Sequence, residues 1–215
     1  MIKIGHRGAK GHIAENTLAS FQKAIELGVD FIELDVHNSY DKIPIVIHDK
    51  TIDRTTNGSG LVSDYFAKEL QEFGIPTLEA VFNLANNKCK INIEIKEFEA
   101  VKGVLDLLGT NLFSKDKILI SSFDWKVLQE VHFYDEQIQI GVLTETDIDL
   151  AFDFAKSIKA YAIHPNYHLL TAENTKKMQT NFFKVYPWTV NEPSAIIFVK
   201  SLNVDGIITD FPDRI

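Results

Sequence analysis

Phe31-Ile32-Glu33-Leu34-Asp35-Val36 and Ile91-Asn92-Ile93-Glu94-Ile95-Lys96 decide how this chain is read. Each is a short aliphatic run of the kind that forms a strand buried on both faces. Each also carries charged groups two positions apart. Strand side chains alternate, so Glu33 shares a face with Asp35, and Glu94 shares one with Lys96. Unpaired charge inside an apolar layer is costly. A hard divalent cation, which takes oxygen ligands, relieves that cost for Glu33 and Asp35, with Glu94 completing an acidic triad. The plainer readings are an exposed Glu-x-Asp strand and a simple Glu94–Lys96 ion pair. The flanking Phe31, Ile32, Leu34 and Val36 count against the first. A place at the C-terminal end of a barrel strand counts against the second.

Outward from these two runs, strand-like segments recur at 2–6, 31–36, 91–96, 118–123, 139–144, 160–165, 183–190 and 206–210. From 91 onward their starts are 27, 21, 21, 23 and 23 residues apart. That spacing fits a strand, a helix and two short loops. Eight such units predict a (β/α)8 TIM barrel, one domain over residues 1–215. The rival, an open doubly wound sheet, lacks a Gly-x-Gly-x-x-Gly after its first strand. Between the strands, Leu18, Phe21 and Ile25 share a helical face that Gly28 can end. Asp147 can cap a helix with Ile148, Ala151, Phe152, Ala155 and Ile158 on its apolar face. Pro193 suits a first helical turn.

The interval between the second and third barrel strands holds an additional run, Pro44 to Asp49. It follows Val36 after seven residues, too few for a parallel crossover. A β-hairpin extension after strand 2 is therefore expected. A tip at Asp41-Lys42 sets Asp35 opposite His48.

Two histidines stand where strands end. His6 lies in Gly5-His6-Arg7-Gly8, whose glycines permit unusual backbone and close ligand approach. His48 lies in the hairpin arm. Imidazoles can take and give protons near neutrality, the two operations phosphodiester cleavage needs. Arg7 offers a planar fork for phosphate oxygens, and Lys96 a second cation. Any of these alone is usually structural. Together they are the parts of a metal-dependent phosphodiesterase. His12, His37, His132 and His168 are assigned surface or packing roles, and His164, ending a strand before Pro165, is the exception to watch.

Composition limits the alternatives. The chain has 215 residues, 45% hydrophobic, with a net charge of −8 and one cysteine. An acidic balance disfavours nucleic acid or an anionic membrane as the main partner. A lone Cys89 excludes an internal disulfide and thiolate zinc. No leader peptide or ~18-residue apolar span is visible, so the expected location is the cytoplasm, without stable membrane insertion. Oligomeric state is not legible.

Read in order, the motifs resemble those of the glycerophosphodiester phosphodiesterases. They run from Gly5-His6-Arg7-Gly8 and Glu15-Asn16-Thr17, with Phe21, Ala24 and Gly28, through Glu33-Leu34-Asp35-Val36 and Asp41. His48-Asp49, Arg54-Thr55-Thr56 and Gly58-x-Gly60 come next. Ile75-Pro76-Thr77-Leu78-Glu79, Ile93-Glu94-Ile95-Lys96, Ser121-Ser122-Phe123, Trp188-Thr189-Val190-Asn191 and Asp205 to Pro212 complete the series. The resemblance spans essentially the whole chain. One departure is Ala14, where that family commonly has proline.

The resemblance implies a barrel that hydrolyses a small glycerophosphodiester to sn-glycerol 3-phosphate and an alcohol. By position it makes His6 and His48 the acid–base pair, and Glu33, Asp35 and Glu94 the ligands of one Mg²⁺ or Ca²⁺, with Mn²⁺ also acceptable. Arg7 and Lys96 become phosphate contacts. Phe123 and Trp188 become apolar walls near the glycerol or the leaving group. Glu15 is either a group beside the substrate or a cap on the first helix. The attacking oxygen, water or the glycerol 2-hydroxyl, stays open. Two rivals remain: a lysophospholipase D, with Tyr65, Phe66 and Phe73 as candidate lipid contacts, and a non-catalytic phosphodiester-binding module.

Overall fold

The structure is a computed structural model that describes residues 1–215. Eight parallel strands form the barrel. In chain order, β1 (Ile2–Gly5), α1 (Leu18–Glu26) and β2 (Phe31–Asn38) precede a short β3 (Pro44–Val46). Helices α2 (Ala67–Glu72) and α3 (Leu78–Ala85) lead to β4 (Lys90–Ile95), α4 (Val101–Gly109), β5 (Ile118–Ser122) and α5 (Trp125–Tyr134). The remaining units are β6 (Gln139–Thr144), α6 (Ile148–Ser157), β7 (Ala162–Pro165), α7 (Ala172–Thr180), β8 (Lys184–Val185), α8 (Pro193–Ser201) and β9 (Gly206–Thr209).

The sheet order β8-β7-β6-β5-β4-β2-β1-β9 is that of a nearly closed barrel. The seam between its ends carries three main-chain bonds: Asp205 N–H to Val185 O at 3.2 Å, Ile208 N–H to Pro187 O at 3.0 Å, and Val190 N–H to Ile208 O at 2.9 Å. Only Lys184–Val185 is regular strand within the expected 183–190 run, because Pro187 has no N–H to donate. The chain still stays beside β7, with Trp188 N–H on Pro165 O at 3.1 Å.

Alternation sorts the side chains. Ile91, Ile93 and Ile95 of β4 face outward into a 45-residue core shared with the helices. Facing inward, Ile4, Phe31, Leu119, Ala162, Tyr186 and Ile208 form a separate apolar cluster that fills the barrel. Burying one such large side chain contributes about 1.5–3 kcal/mol. The barrel is therefore packed shut along its axis, and the inward residues near the C-terminal strand ends are left to line a mouth.

Helix signals match their sequence reading with two adjustments, both at α1. Asp147 accepts a bond from Leu150 N–H at 2.9 Å, and Pro193 begins α8. Gly28, at φ +73°, follows the end of α1. Thr17, not Glu15, caps α1, accepting from Ser20 N–H at 3.1 Å. Leu18 is exposed while Phe21 is buried, so the α1 core face is narrower than its periodicity suggests.

The hairpin exists, but its register differs by one residue from the expected pairing. Val36 pairs with Val46, His37 with Ile45 and Asn38 with Pro44. Asp35 consequently lies opposite Ile47, whose N–H donates to Asp35 O at 3.0 Å, and not opposite His48. The cause is a three-residue tip. Ser39 N–H meets Ile43 O at 3.1 Å, and Lys42 adopts φ +63°, the left-handed closing residue of such loops. β3 ends at Val46, whose N–H points away from β2 to Pro76 O at 2.9 Å. His48 and Asp49 therefore sit beyond the strand. The arm does not stand free: Ile45, Ile47, Ile52, Val62, Leu70 and Ile75 give it a small core of its own.

Candidate active site

Glu33 and Asp35 of β2 and Glu94 of β4 point into the barrel mouth, where one oxygen from each lies within 4.8 Å of the others. All three are nearly inaccessible. Burial, then Asp35 and Glu94, raises the Glu33 carboxyl well above its ordinary value. Burial and the charge of Asp35 push Glu94 up to about 7. Burial would raise Asp35 too, but Arg7 and Lys96 outweigh it and hold this carboxyl below the usual range. Three buried carboxylates with this mutual repulsion form an all-oxygen donor set suited to a hard divalent cation. Glu94 has two sets of neighbours. It belongs to the cluster, and it accepts from Lys96 Nζ at 2.5 Å. Lys96 Nζ is also 3.4 Å from Asp35.

Arg7 sits where the Gly5–Gly8 turn leaves β1, at φ +50°. The turn needs its glycines: a Cβ on Gly8, at φ +87°, would lie 2.7 Å from the backbone carbon of Ser20. The turn aims Arg7 N–H at Glu33 Oε2, 2.8 Å away. Its guanidinium lies 2.7 Å from Glu15 and 3.2 Å from Asp35. Asn16 donates from Nδ2 to Asp35 at 2.9 Å, so the loop after β1 holds the inner carboxylate as well. Thr17 Oγ1 donates to Ala14 O at 2.7 Å, closing that loop without the proline.

Both imidazoles are anchored through Nδ1. His6 Nδ1 is 2.6 Å from Asp210. Asp210 accepts in turn from Asn191 Nδ2 at 2.8 Å. His48 Nδ1 is 2.6 Å from Asp49, which Arg54 holds through Nε at 2.6 Å. A carboxylate on Nδ1 fixes the tautomer and leaves Nε2 free. Burial pulls both imidazoles below the ordinary value, against the pull of Asp210 on His6 and of Asp35 and Asp49 on His48. Arg54 also grips Glu15 with two bonds, at 2.7 and 3.1 Å. A continuous ionic chain thus runs His48–Asp49–Arg54–Glu15–Arg7 to the acidic cluster. Burial works against the Glu15 charge, but Arg54 and Arg7 prevail and bring its carboxyl down to about 2.

Phe123 and Trp188 touch as a T-shaped pair, centroids 5.3 Å apart, and together line the mouth. Trp188 Nε1 is tied to His164 O at 2.7 Å. One pocket of about 200 Å³ is lined by His6, Arg7, Glu33, His48, Glu94, Lys96, Phe123 and Trp188, with Asn92 and Ser121. Eight of the nine site residues read from the sequence therefore face one cavity. The ninth, Asp35, touches Arg7 and Lys96 beside it.

The other histidines separate from the site. His164 is fully buried, packed on Tyr186 at 5.4 Å, and burial drops its pKa to about 3. It is not among the pocket residues. His37 is buried rather than superficial, its Nε2 3.1 Å from His48 O, so it steadies the backbone of the histidine in the pocket. Tyr65 and Phe73 pack on each other at 5.9 Å, and Phe66 packs on Tyr40 at 5.0 Å. None of the three lines the active-site pocket, and Phe73 lines a neighbouring cavity that shares His48 with it. Asp49, Asp210, Arg54 and Asn16 lie in motifs of the resemblance, but the reading of the sequence assigns them no role at the site. An acidic residue directly after His48, and another directly after the last strand, were the available signals.

A nearly closed parallel barrel with carboxylates, cations and two carboxylate-anchored imidazoles at one mouth defines an enzyme equipped for phosphoester chemistry. Comparison with known proteins gives the family. The glycerophosphoryl diester phosphodiesterase family matches residues 6–214, and the chain belongs to it. It is a phosphoric diester hydrolase. A glycerophosphodiester phosphodiesterase of Caldanaerobacter subterraneus subsp. tengcongensis is 35% identical, over 99% of this chain and 95% of that one. One from Bacillus altitudinis is 37% identical, over 100% and 96%. The crystal structure of the Thermotoga maritima glycerophosphodiester phosphodiesterase superposes with a TM-score of 0.89 at 30% identity, covering 99% of this chain and 96% of that one. An Oleispira antarctica phosphodiesterase, in complex with the product sn-glycerol-3-phosphate, gives 0.92 at 25% identity, covering 100% and 94%.

Proposed function

We propose that this chain hydrolyses glycerophosphodiesters to sn-glycerol 3-phosphate and an alcohol, using one divalent cation and the His6/His48 pair. The observation that carries the reading is the meeting of the Glu33, Asp35 and Glu94 cluster with a pocket that both imidazoles line. The sn-glycerol-3-phosphate complex of the Oleispira phosphodiesterase supports the product.

Glu33, Asp35 and Glu94 would hold Mg²⁺ or Ca²⁺, which supplies charge neutralisation to the phosphoryl oxygens. Arg7 and Lys96 flank the carboxylates and present donors to the same oxygens, stabilising charge as it builds there. One imidazole takes the proton from the attacking oxygen, and the other protonates the departing alkoxide. Asp210 and Asp49 hold each ring with Nδ1 protonated, so Nε2 does the transfer. The Phe123–Trp188 pair walls the cavity and limits water at the reacting phosphorus.

The test is release of sn-glycerol 3-phosphate from glycerophosphocholine, glycerophosphoethanolamine and glycerophosphoglycerol, with and without EDTA. Activity lost to EDTA and restored by Mg²⁺ or Ca²⁺ supports the reading. No release from any of the three, with metal present, sinks it.

A further inference from the structure

Two inward-facing polar side chains lie one step deeper on their strands than Glu94 and Phe123. Asn92 is two residues before Glu94 on β4, and Ser121 two residues before Phe123, at the end of β5. On a strand that separation is about 6.6 Å towards the barrel floor. They are 1% and 0% exposed, yet both line the active-site pocket. The Asn92 Oδ1 and Ser121 Oγ atoms have no hydrogen-bond partner in the protein. In register Asn92 lies beside Glu33, and Ser121 beside Glu94.

Buried polar groups are almost always paired, and leaving one unpaired is costly. A barrel interior normally fills such positions with branched apolar residues, as Leu119 and Ile208 do nearby. An amide and a hydroxyl at the bottom of a binding pocket, side by side with the carboxylates and lacking protein partners, suit a ligand that brings its own hydroxyls. His164, also buried with both ring nitrogens unpartnered, does not reach the pocket and is no part of this pair.

We propose that Asn92 and Ser121 read the glycerol hydroxyls of the substrate, seating the polyol end on the pocket floor and leaving the variable alcohol at the open mouth. The inference rests on the glycerophosphodiester reading and assigns the specificity for its constant half. Asn92, with an acceptor oxygen and two N–H donors, and Ser121, with a hydroxyl, offer both hydrogen-bond senses to a diol. A ligand lacking hydroxyls leaves both groups buried and unpaired, which is how such sites reject analogues.

The experiment compares binding of sn-glycerol 3-phosphate and propyl phosphate by calorimetry with Mg²⁺ or Ca²⁺ present. Binding is read instead of turnover, so that a hydroxyl's own part in the chemistry does not enter. The wild-type protein should prefer sn-glycerol 3-phosphate by about 10- to 100-fold. In Ser121→Ala, Asn92→Ala and the double variant that ratio should fall towards one, through weaker binding of the glycerol compound alone. Melting temperatures should stay level or rise, since an unpaired buried group is removed. A wild-type ratio near one, or variants that keep the wild-type ratio, overturns the inference. A protein that keeps the ratio in wild type and loses it in the variants, but releases no glycerol 3-phosphate from any diester, supports the floor contacts and overturns the hydrolase reading instead.

Discussion

Asp210 follows His6 by 204 positions and places its Oδ1 2.6 Å from the imidazole Nδ1. Strands β1 and β9 are neighbours in the barrel, and Gly5 pairs with Thr209, so the residue after each strand arrives at the same rim. The His6 ring is thus oriented by the last barrel strand. Asn191 holds the other oxygen of Asp210 at 2.8 Å, which keeps the carboxylate from turning away.

Asp210→Asn should lower kcat by about 100-fold, because the amide no longer enforces the Nδ1-protonated tautomer. The fold should survive, since Asn191 can still bond the amide. Steady-state kinetics with a circular dichroism spectrum checks both halves. Unchanged kcat would mean that His6 orientation does not limit the reaction.

Replacing His6 or His48 by alanine should reduce turnover by about 10² to 10⁴-fold with melting behaviour near wild type. Near-normal rates in either variant would remove that imidazole from the acid–base pair.

Divalent cation should stabilise the folded protein. Only the folded chain brings the three carboxylates within 4.8 Å, so a divalent cation held by them would bind the native state preferentially. At a hundred times the dissociation constant the gain is about 2.7 kcal/mol, or roughly 5–10 °C in melting temperature for a chain of this size. EDTA should reverse it. The Glu33→Gln/Asp35→Asn/Glu94→Gln variant should show no metal response. A full response in that variant would place the cation elsewhere.

Glu15 links Arg7 to Arg54, and its carboxyl falls from an ordinary 4.5 to about 2. A depressed acidic pKa contributes stability that is complete above 4.5, shrinks as pH falls, and is gone below about 2. Discounted for screening at this partly open site, the contribution is about 1–2 kcal/mol. Glu15→Gln should therefore be less stable than wild type by that amount at pH 7, and the gap should narrow as urea melts are moved from pH 5 to pH 3. A gap that is constant with pH would assign the loss to packing.

Several parts of the site were legible before folding because strand geometry is local. A period of two puts Glu33 with Asp35 and Glu94 with Lys96, whatever the rest of the chain does. The glycines around His6 and Arg7 announce a tight turn for a similar reason. Hairpin register was legible only to within one residue. Its tip relies on Lys42 at φ +63°, a conformation that no Gly or Asn signals there. Asn92 and Ser121 read as ordinary strand residues, since a side chain left unpartnered can be recognised only once its surroundings are known.

The amino-acid order by itself determined the eight-unit rhythm, the inward charges and the chemistry they can support, because periodicity and side-chain type act over a few residues. Tertiary structure decided the rest. Barrel closure brought Asp210 to His6 and turned the spare histidine His164 into a neutral core residue, while the folding of the hairpin arm set Arg54 between Asp49 and Glu15. Those outcomes depend on which distant segments become neighbours and how much water they exclude, and both are properties of the folded chain.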